Sequence, residues 1–417
     1  MKKILVAILL ICAGAVLPSR ACTTAVISAR ASANGRPMLW KQRDTGAKFN
    51  YVDHFRATDS TFAFTGVVNT RDTTRKSVWS GANSEGFAIM NSMSYGLSPI
   101  KDSDRPWEGV VMKKALEICR TLGDFEAYIK SLPQPNGLEA NFGVIDAEGG
   151  AAYFEVHDLG YTRFDASDAP GGYLVRSNFS FTGREGEGKG YNRYEIAAGA
   201  MEALGGGFTA EWILDSLARN PVICRKTTVS STVIEGIGAG DPKGSALIWT
   251  NPGWPLASYA VASWVEAGDR IAPPLKSGER GSKLNELSKD LQGKAGSGAG
   301  AAAGAADAAR SASGSGVAEA ARDAACLGAG VAEARPASGL GAAGSGRPAG
   351  AGVAEVRSAS GSAAAEAARA AEREEFARGR RLDSLVRSGS AVAADFEAYN
   401  LAAARAVAAF AALVSED

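Results

Sequence analysis

Histidine is nearly absent from this chain: His54 and His157 are the only two in 417 residues. Triad-type serine and cysteine hydrolases take a His as base, and zinc hydrolases take two or three His ligands. The scarcity therefore favours a chemistry that needs no imidazole. An excess of charge is also missing, since 45 Lys+Arg stand against 45 Asp+Glu. That balance removes the electrostatic case for nucleic acid or an anionic membrane and points to a small, roughly neutral ligand. Beyond the N-terminal region no apolar run approaches the roughly 18 residues of a stable membrane span. Cysteine is sparse and irregularly placed: Cys12, Cys22, Cys119, Cys224 and Cys326 show neither metal nor oxidoreductase spacing. Cys119 and Cys224 could pair in an oxidising compartment, although nothing requires it. No metal and no cofactor is expected.

What is present begins with a leader. Lys2 and Lys3 precede an apolar run from Ile4 to Val16 and the small-residue ending Ser19-Arg20-Ala21. This pattern predicts a signal peptide over residues 1–21, cleaved directly before Cys22, and hence an exported chain in the periplasm or outside the cell.

From Cys22 to about residue 293 the chain reads as one globular domain. Short β-type segments are predicted at Thr23–Ser28, Phe87–Asn91, Phe142–Asp146, Ala151–Val156, Tyr173–Ser177, Thr228–Glu235 and Ala246–Thr250. Apolar residues at helical spacing predict helices over Val111–Arg120, Asp124–Leu132, Arg193–Leu204 and Ala210–Arg219. Strands in groups, with helices between the groups, indicate a layered α+β or a sandwich-like α/β domain. Residues 294–369 are dominated by Ala, Gly, Ser and Arg, with unevenly spaced pentads such as Gly316-Val-Ala-Glu-Ala320, and read as a flexible low-complexity insertion. Residues 370–417 regain helical character through Phe376, Leu382, Phe396, Tyr399 and Phe410, and are expected to dock on the core, a solvated Ala-rich tail being the alternative that composition alone leaves open.

Cleavage before Cys22 would leave one residue carrying both a thiol and a free α-amine. An α-amine of pKa about 7.7 to 8.0 can take the thiol proton directly or through one water, the task a His would otherwise perform. Read alone, Cys22 also fits a structural cysteine or the lipidated cysteine of an anchored surface protein. The lipidation pattern, however, wants a Leu-like residue where Ser19 stands.

The residues that follow are distinctive. Cys22-Thr-Thr-Ala-Val-Ile-Ser28, Asn34-Gly-Arg36 and Leu39-Trp-Lys-Gln-Arg-Asp44 resemble the opening of the penicillin acyltransferase and choloylglycine hydrolase group of N-terminal nucleophile (Ntn) hydrolases. The likeness is greatest to the acyl-coenzyme A:6-aminopenicillanic acid acyltransferase family. Asn83-Ser-Glu-Gly-Phe-Ala-Ile-Met-Asn91, Tyr173-Leu-Val-Arg-Ser-Asn178 and Asn220-Pro-Val-Ile-Cys-Arg225 follow in the family's order, and the resemblance extends from Cys22 to about Val265.

The resemblance implies a four-layer αββα sandwich of two antiparallel sheets, with Cys22 opening a central strand. It implies cleavage of a small N-acyl amide through a thioester, with acyl transfer, bile-salt hydrolysis and a related dipeptidase activity in the same range, and leaves a homo-oligomer open. Cys22 would be the nucleophile, Asp44 an acceptor for its amine or thiol, Asn91 and Asn178 donors to the oxyanion, and Arg225 a partner of Asp44 or of substrate. Read without the family, the two asparagines are equally edge or turn residues, Asp44 a strand-end residue and Arg225 a surface charge; Asn83, before Ser-Glu-Gly, is a turn former. Gln42 stands where the acyltransferases often have Asn, and Lys41 where bile-salt hydrolases have Arg.

Overall fold

Strands β1 (Ala21–Ile27) and β2 (Met38–Asp44) form the antiparallel pair on which everything else is assembled, with Thr24 opposite Lys41 and Cys22 opposite Arg43. The link between them turns at Gly35, whose φ of 68° suits glycine, and the Asn34 Oδ1 accepts from the Arg36 N–H at 3.1 Å. The computed structural model describes residues 21–100, 107–298 and 363–415. The predicted leader, Cys12, Cys326 and the pentads lie outside them, apart from Ala21 at the leader's end.

Three further strands stand beside this pair on one side, β11 (Thr228–Glu235), β12 (Leu247–Pro252) and β13 (Val261–Trp264), and one on the other, β10 (Tyr173–Arg176). The sheet order is β10-β1-β2-β11-β12-β13. The second sheet is a meander in chain order: β3 (Asn50–Phe55), β4 (Phe64–Asn69), β5 (Ser80–Asn83), β6 (Ala88–Met93), β7 (Ala140–Ile145), β8 (Ala151–His157) and β9 (Gly160–Asp165). Every strand pairing in both sheets is antiparallel.

The sheets lie face to face, and Val26, Leu39, Met90, Ile145, Tyr153 and Ile248 fill the space between them. Outside the second sheet lie α1 (Glu108–Ile118) and α2 (Leu122–Lys130), joined to it through Val111, Leu116, Phe125, Phe142 and Phe154. Thr121 and Asp124 start α2 with a reciprocal capping box. Outside the first sheet lie α3 (Tyr191–Leu204), α4 (Ala210–Trp212, running on into a wide helical turn over Ile213–Leu217), α5 (Lys283–Gly298), α6 (Ala363–Arg387) and α7 (Ala393–Ser415). They cover Trp40, Trp249, Trp264 and Ala25. The result is the four-layer αββα sandwich that the sequence resemblance implies, with burial of each large apolar side chain contributing about 1.5–3 kcal/mol.

Two boundaries differ from the sequence reading. Helix α5 reaches Gly298 and α6 begins at Ala363, so both ends of the stretch read as low complexity are helical. At the α6 end composition hid this because residues 363–369 are mostly Ala, which forms helix without a strong apolar stripe. Helices α6 and α7 also finish the open edge of the first sheet. The Ala260 N–H donates to Glu372 at 2.8 Å and the Ala262 N–H to Tyr399 at 2.9 Å, so backbone donors at the β13 edge are satisfied by side chains. Arg219 donates to Glu372, and Arg380 to Glu211 and Glu235, fixing α6 to the domain.

The cysteine pair considered from sequence is not formed. Cys119 and Cys224 are free and buried in opposite outer layers, Cys119 after α1 and Cys224 before β11, with both sheets between them. Burial pushes each thiol up to about 12.

Candidate active site

Side chains alternate between the two faces of a strand. On β1, Ala25 and Ile27 enter the helix-covered core, whereas Val26 enters the layer between the sheets and Thr24 accepts from the Tyr153 hydroxyl of the opposite sheet at 2.8 Å. Cys22 shares the parity of Thr24 and therefore faces the cleft between the sheets, buried at 8% exposure. On β2 the same rule sends Lys41 and Arg43 into that cleft with Cys22, and Gln42 and Asp44 to the helix side.

The Cys22 nitrogen donates to Asn178 Oδ1 at 2.8 Å. Asn178 follows β10, is fully buried, and donates from Nδ2 to the Met93 carbonyl at 2.8 Å. The family resemblance implies an oxyanion donor at Asn178. In the structure its amide is turned the other way, with oxygen toward Cys22 and the NH2 group committed to Met93. The orientation is set by a residue that sequence reasoning missed. Arg193, in the first turn of α3, donates from Nη2 to Asn178 Oδ1 at 2.7 Å and from Nη1 to Thr23 Oγ1 at 2.8 Å and to the Cys22 carbonyl. An arginine has only donors, so it turns an amide oxygen toward itself. The available signal was a cation in the first turn of a helix, the end that the helix dipole makes unfavourable for positive charge.

Asp44 does not receive the Cys22 nitrogen. Its Oδ2 accepts from Arg225 Nε at 2.9 Å and Nη2 at 2.8 Å, and its Oδ1 accepts from Thr228 at 2.6 Å. The Asp44 side chain is 1% exposed and that of Arg225 36%. Burial pushes the Asp44 carboxyl above its usual range, against the opposing pull of Arg225 and Thr228. Arg225 is thus an ion-pair partner on the helix side of the sheet.

Asn91 is joined to the cluster through Lys41, whose Nζ donates to Asn91 Oδ1 at 2.6 Å and to the Trp79 carbonyl at 2.8 Å. Asn91 Nδ2 has no hydrogen-bond partner among the described residues. Burial brings the Lys41 ammonium down to about 7, countered by attraction to Cys22 and reinforced by the nearby Arg43. Arg43 in turn lies over the Trp79 ring at 4.7 Å. Lys41, noted from sequence only as a departure from a family arginine, is therefore a buried amine electrostatically coupled to Cys22.

Asn83 closes the turn before β6: its Oδ1 accepts from the Glu85 and Phe87 N–H groups, both at 3.0 Å. His54 bonds Thr65, and the His157 ring accepts from the Leu159 N–H; neither histidine bonds to Cys22 or to the residues around it. Among the described residues no cluster of three or more His, Cys, Asp or Glu could hold a metal ion, and no helix is long and apolar enough to cross a membrane.

No protein-family model matches this sequence, and no curated protein matches it. Similar solved structures include an N-acylethanolamine-hydrolyzing acid amidase orthologue from Caenorhabditis elegans, 14% identical with a TM-score of 0.39 over 51% of this chain and 92% of that one. A conjugated bile acid hydrolase from Clostridium perfringens is 12% identical, with a TM-score of 0.39 over 59% of this chain and 93% of its own. A penicillin V acylase from Agrobacterium tumefaciens is 14% identical, with a TM-score of 0.35 over 58% of this chain and 85% of its own.

Proposed function

We propose that this protein is an exported amidohydrolase in which removal of residues 1–21 makes Cys22 the N-terminal residue and the nucleophile, cleaving the linear amide of a small N-acyl substrate. The observation that carries the reading is the seat of the Cys22 nitrogen, 2.8 Å from Asn178 Oδ1 in a buried polar cluster that contains no histidine.

With the preceding peptide bond cut, that nitrogen is an α-amine. It takes the proton of the Cys22 thiol, directly or through a water, and Sγ attacks the amide carbonyl carbon. The carbonyl oxygen gathers the negative charge, and Asn91 Nδ2 is the neutral donor available to it, held by Lys41 through the other end of the same amide. The carbon–nitrogen bond then breaks, and the leaving amine takes the proton from the ammonium. A thioester is left on Cys22. Water, deprotonated by the same α-amine, attacks the thioester, releasing the carboxylic acid and restoring the thiol; an acceptor amine in place of water would give acyl transfer. Hydrolysis is the expected outcome outside the cell, where acyl-coenzyme A donors are not supplied.

Intact mass of the exported protein, followed by a panel of N-acyl amides with free amine as readout, tests the reading. A chain starting at unmodified Cys22, active as wild type and inactive as Cys22→Ala, is expected. A diacylglyceryl adduct on Cys22, or undiminished turnover by Cys22→Ala, would overturn it.

A further inference from the structure

Helix α3 starts in an unusual way. Its N-cap is Gly190 at φ 81°, with no side-chain cap, and there is no acidic residue in its first turn. The third residue of the helix is Arg193, a cation at the positive end of the dipole, where Asp or Glu would stabilise. Arg193 is nevertheless only 3% exposed. Its guanidinium folds back over the helix start: a Cβ built on Gly190 would lie 2.0 Å from Arg193 Nη2 and 2.7 Å from Cζ. A glycine in the left-handed conformation thus leaves room for the guanidinium, at some cost to the helix.

All three acceptors of that guanidinium belong to the start of β1 or to the group that holds it: the Cys22 carbonyl, Thr23 Oγ1 and Asn178 Oδ1. We infer that Arg193 is a positioning residue, which aims the Asn178 oxygen at the Cys22 nitrogen, pins the Cys22–Thr23 backbone and places a fixed positive charge beside the α-amine and thiol, with Gly190 as the gap that lets it reach them. The inference rests on the proposed role of Cys22. A guanidinium beside an amine disfavours its ammonium form, and beside a thiol it favours the thiolate. Both effects keep the pair reactive toward lower pH. The other charged or titratable groups around the cluster are Lys41, Arg43, Asp44, Tyr95, Glu108 and Arg225. They are the same in every variant below, so a difference between variants reports Arg193.

The test uses the mature chain from Cys22 onward and needs no substrate. Alkylation of Cys22 by iodoacetamide is followed against pH, with the modified residue identified by peptide mass; the buried Cys119 and Cys224 serve as internal references. Arg193→Met and Gly190→Ala are both expected to displace the profile to higher pH than the wild type, and Arg193→Lys, which keeps the charge without the fork, to recover part of that displacement. Gly190→Ala displaces the guanidinium without removing it, but alanine at a φ of 81° also strains the helix start, so each variant is scored only if it melts like the wild type, and Arg193→Lys, which leaves that backbone untouched, keeps the test decisive. Unchanged midpoints in Arg193→Met and Gly190→Ala proteins that melt like the wild type would overturn the inference and leave the Cys22 reading intact. A Cys22→Ala enzyme that still turns over would instead remove the reading beneath it.

Discussion

Lys41 and Asn91 belong to different sheets, and their side chains meet 2.6 Å apart, tying β2 to β6 beside Cys22. The bond occupies the oxygen of the Asn91 amide and leaves its nitrogen without a partner among the described residues, the donor that the proposed mechanism assigns to the oxyanion. Replacing Asn91 by Ala should lower kcat about a hundredfold to a thousandfold, with a small change in KM. Steady-state kinetics on the amide identified by the substrate panel would show the split. A loss confined to KM would assign Asn91 to substrate binding instead.

Lys41 also gives stability a pH dependence with a definite sign. Its folded value lies at about 7 and the ordinary value at 10.5. Between these limits the unfolded chain holds a proton that the folded chain does not, so the Lys41 contribution to stability rises with pH across the window. Below about 7 the group is charged in both states and the burial penalty is fully felt. Subtracting the unfolding free energies of Lys41→Met from those of the wild type should give a line that is flat below neutrality. It should then climb by up to about 1.4 kcal/mol per pH unit. Urea titrations at several pH values measure it.

Arg225 is the half-exposed partner of a buried carboxylate, and removing it strands the charge. Arg225→Ala should cost about 1–3 kcal/mol of stability near neutral pH. Burial already holds the Asp44 carboxyl above its ordinary value, and loss of Arg225 raises it further. An acid with a raised folded value favours the folded state at low pH and loses that advantage as pH rises. The deficit of Arg225→Ala should accordingly shrink as the solution is acidified into the carboxylate range. Denaturant unfolding followed by circular dichroism at descending pH checks this.

Helix α6 lies against β12 at Gly379, where an added Cβ would sit 2.4 Å from Cη2 of the fully buried Trp249. Gly379→Ala should destabilise the protein by about 1–3 kcal/mol through overpacking. The tryptophan fluorescence should change with it, since the clash falls on the ring itself. A melting temperature equal to the wild type would show that α6 docks with room to spare.

The strands legible in the sequence include the buried β1, β6, β7, β8, β11 and β12 and the edge strand β10, whereas β4, β5 and β13 are buried but short or broken by Gly and polar residues and carry no clear pattern. β11 and β8 stand out because β-branched and aromatic residues run through them, whereas β3 and β9 are half-exposed edge strands with Asp, His and Arg among few apolar positions. Cys22 is legible because the predicted leader ends there and because histidine is so scarce. Asp44 and Arg225 were legible as partners, although not their side of the sheet, which follows from strand alternation counted against Ala25 and Val26. Arg193 leaves one local trace, a cation in the first turn of a helix, but its partner is distant, 171 residues away at the carbonyl it holds. Contacts of that span are set by how layers stack, and no local pattern carries them.

The bond between Ala21 and Cys22 lies within β1, with Ala21 opposite Asp44 and only 5% exposed. Proteases cut extended segments that stand free of their surroundings, and this one is sheltered by the hairpin it opens. On the proposed reading, trimming therefore has to come first and folding second. A chain that closed its sheets before being trimmed would keep an amide where the amine is needed, inert and shielded from the one event that could awaken it.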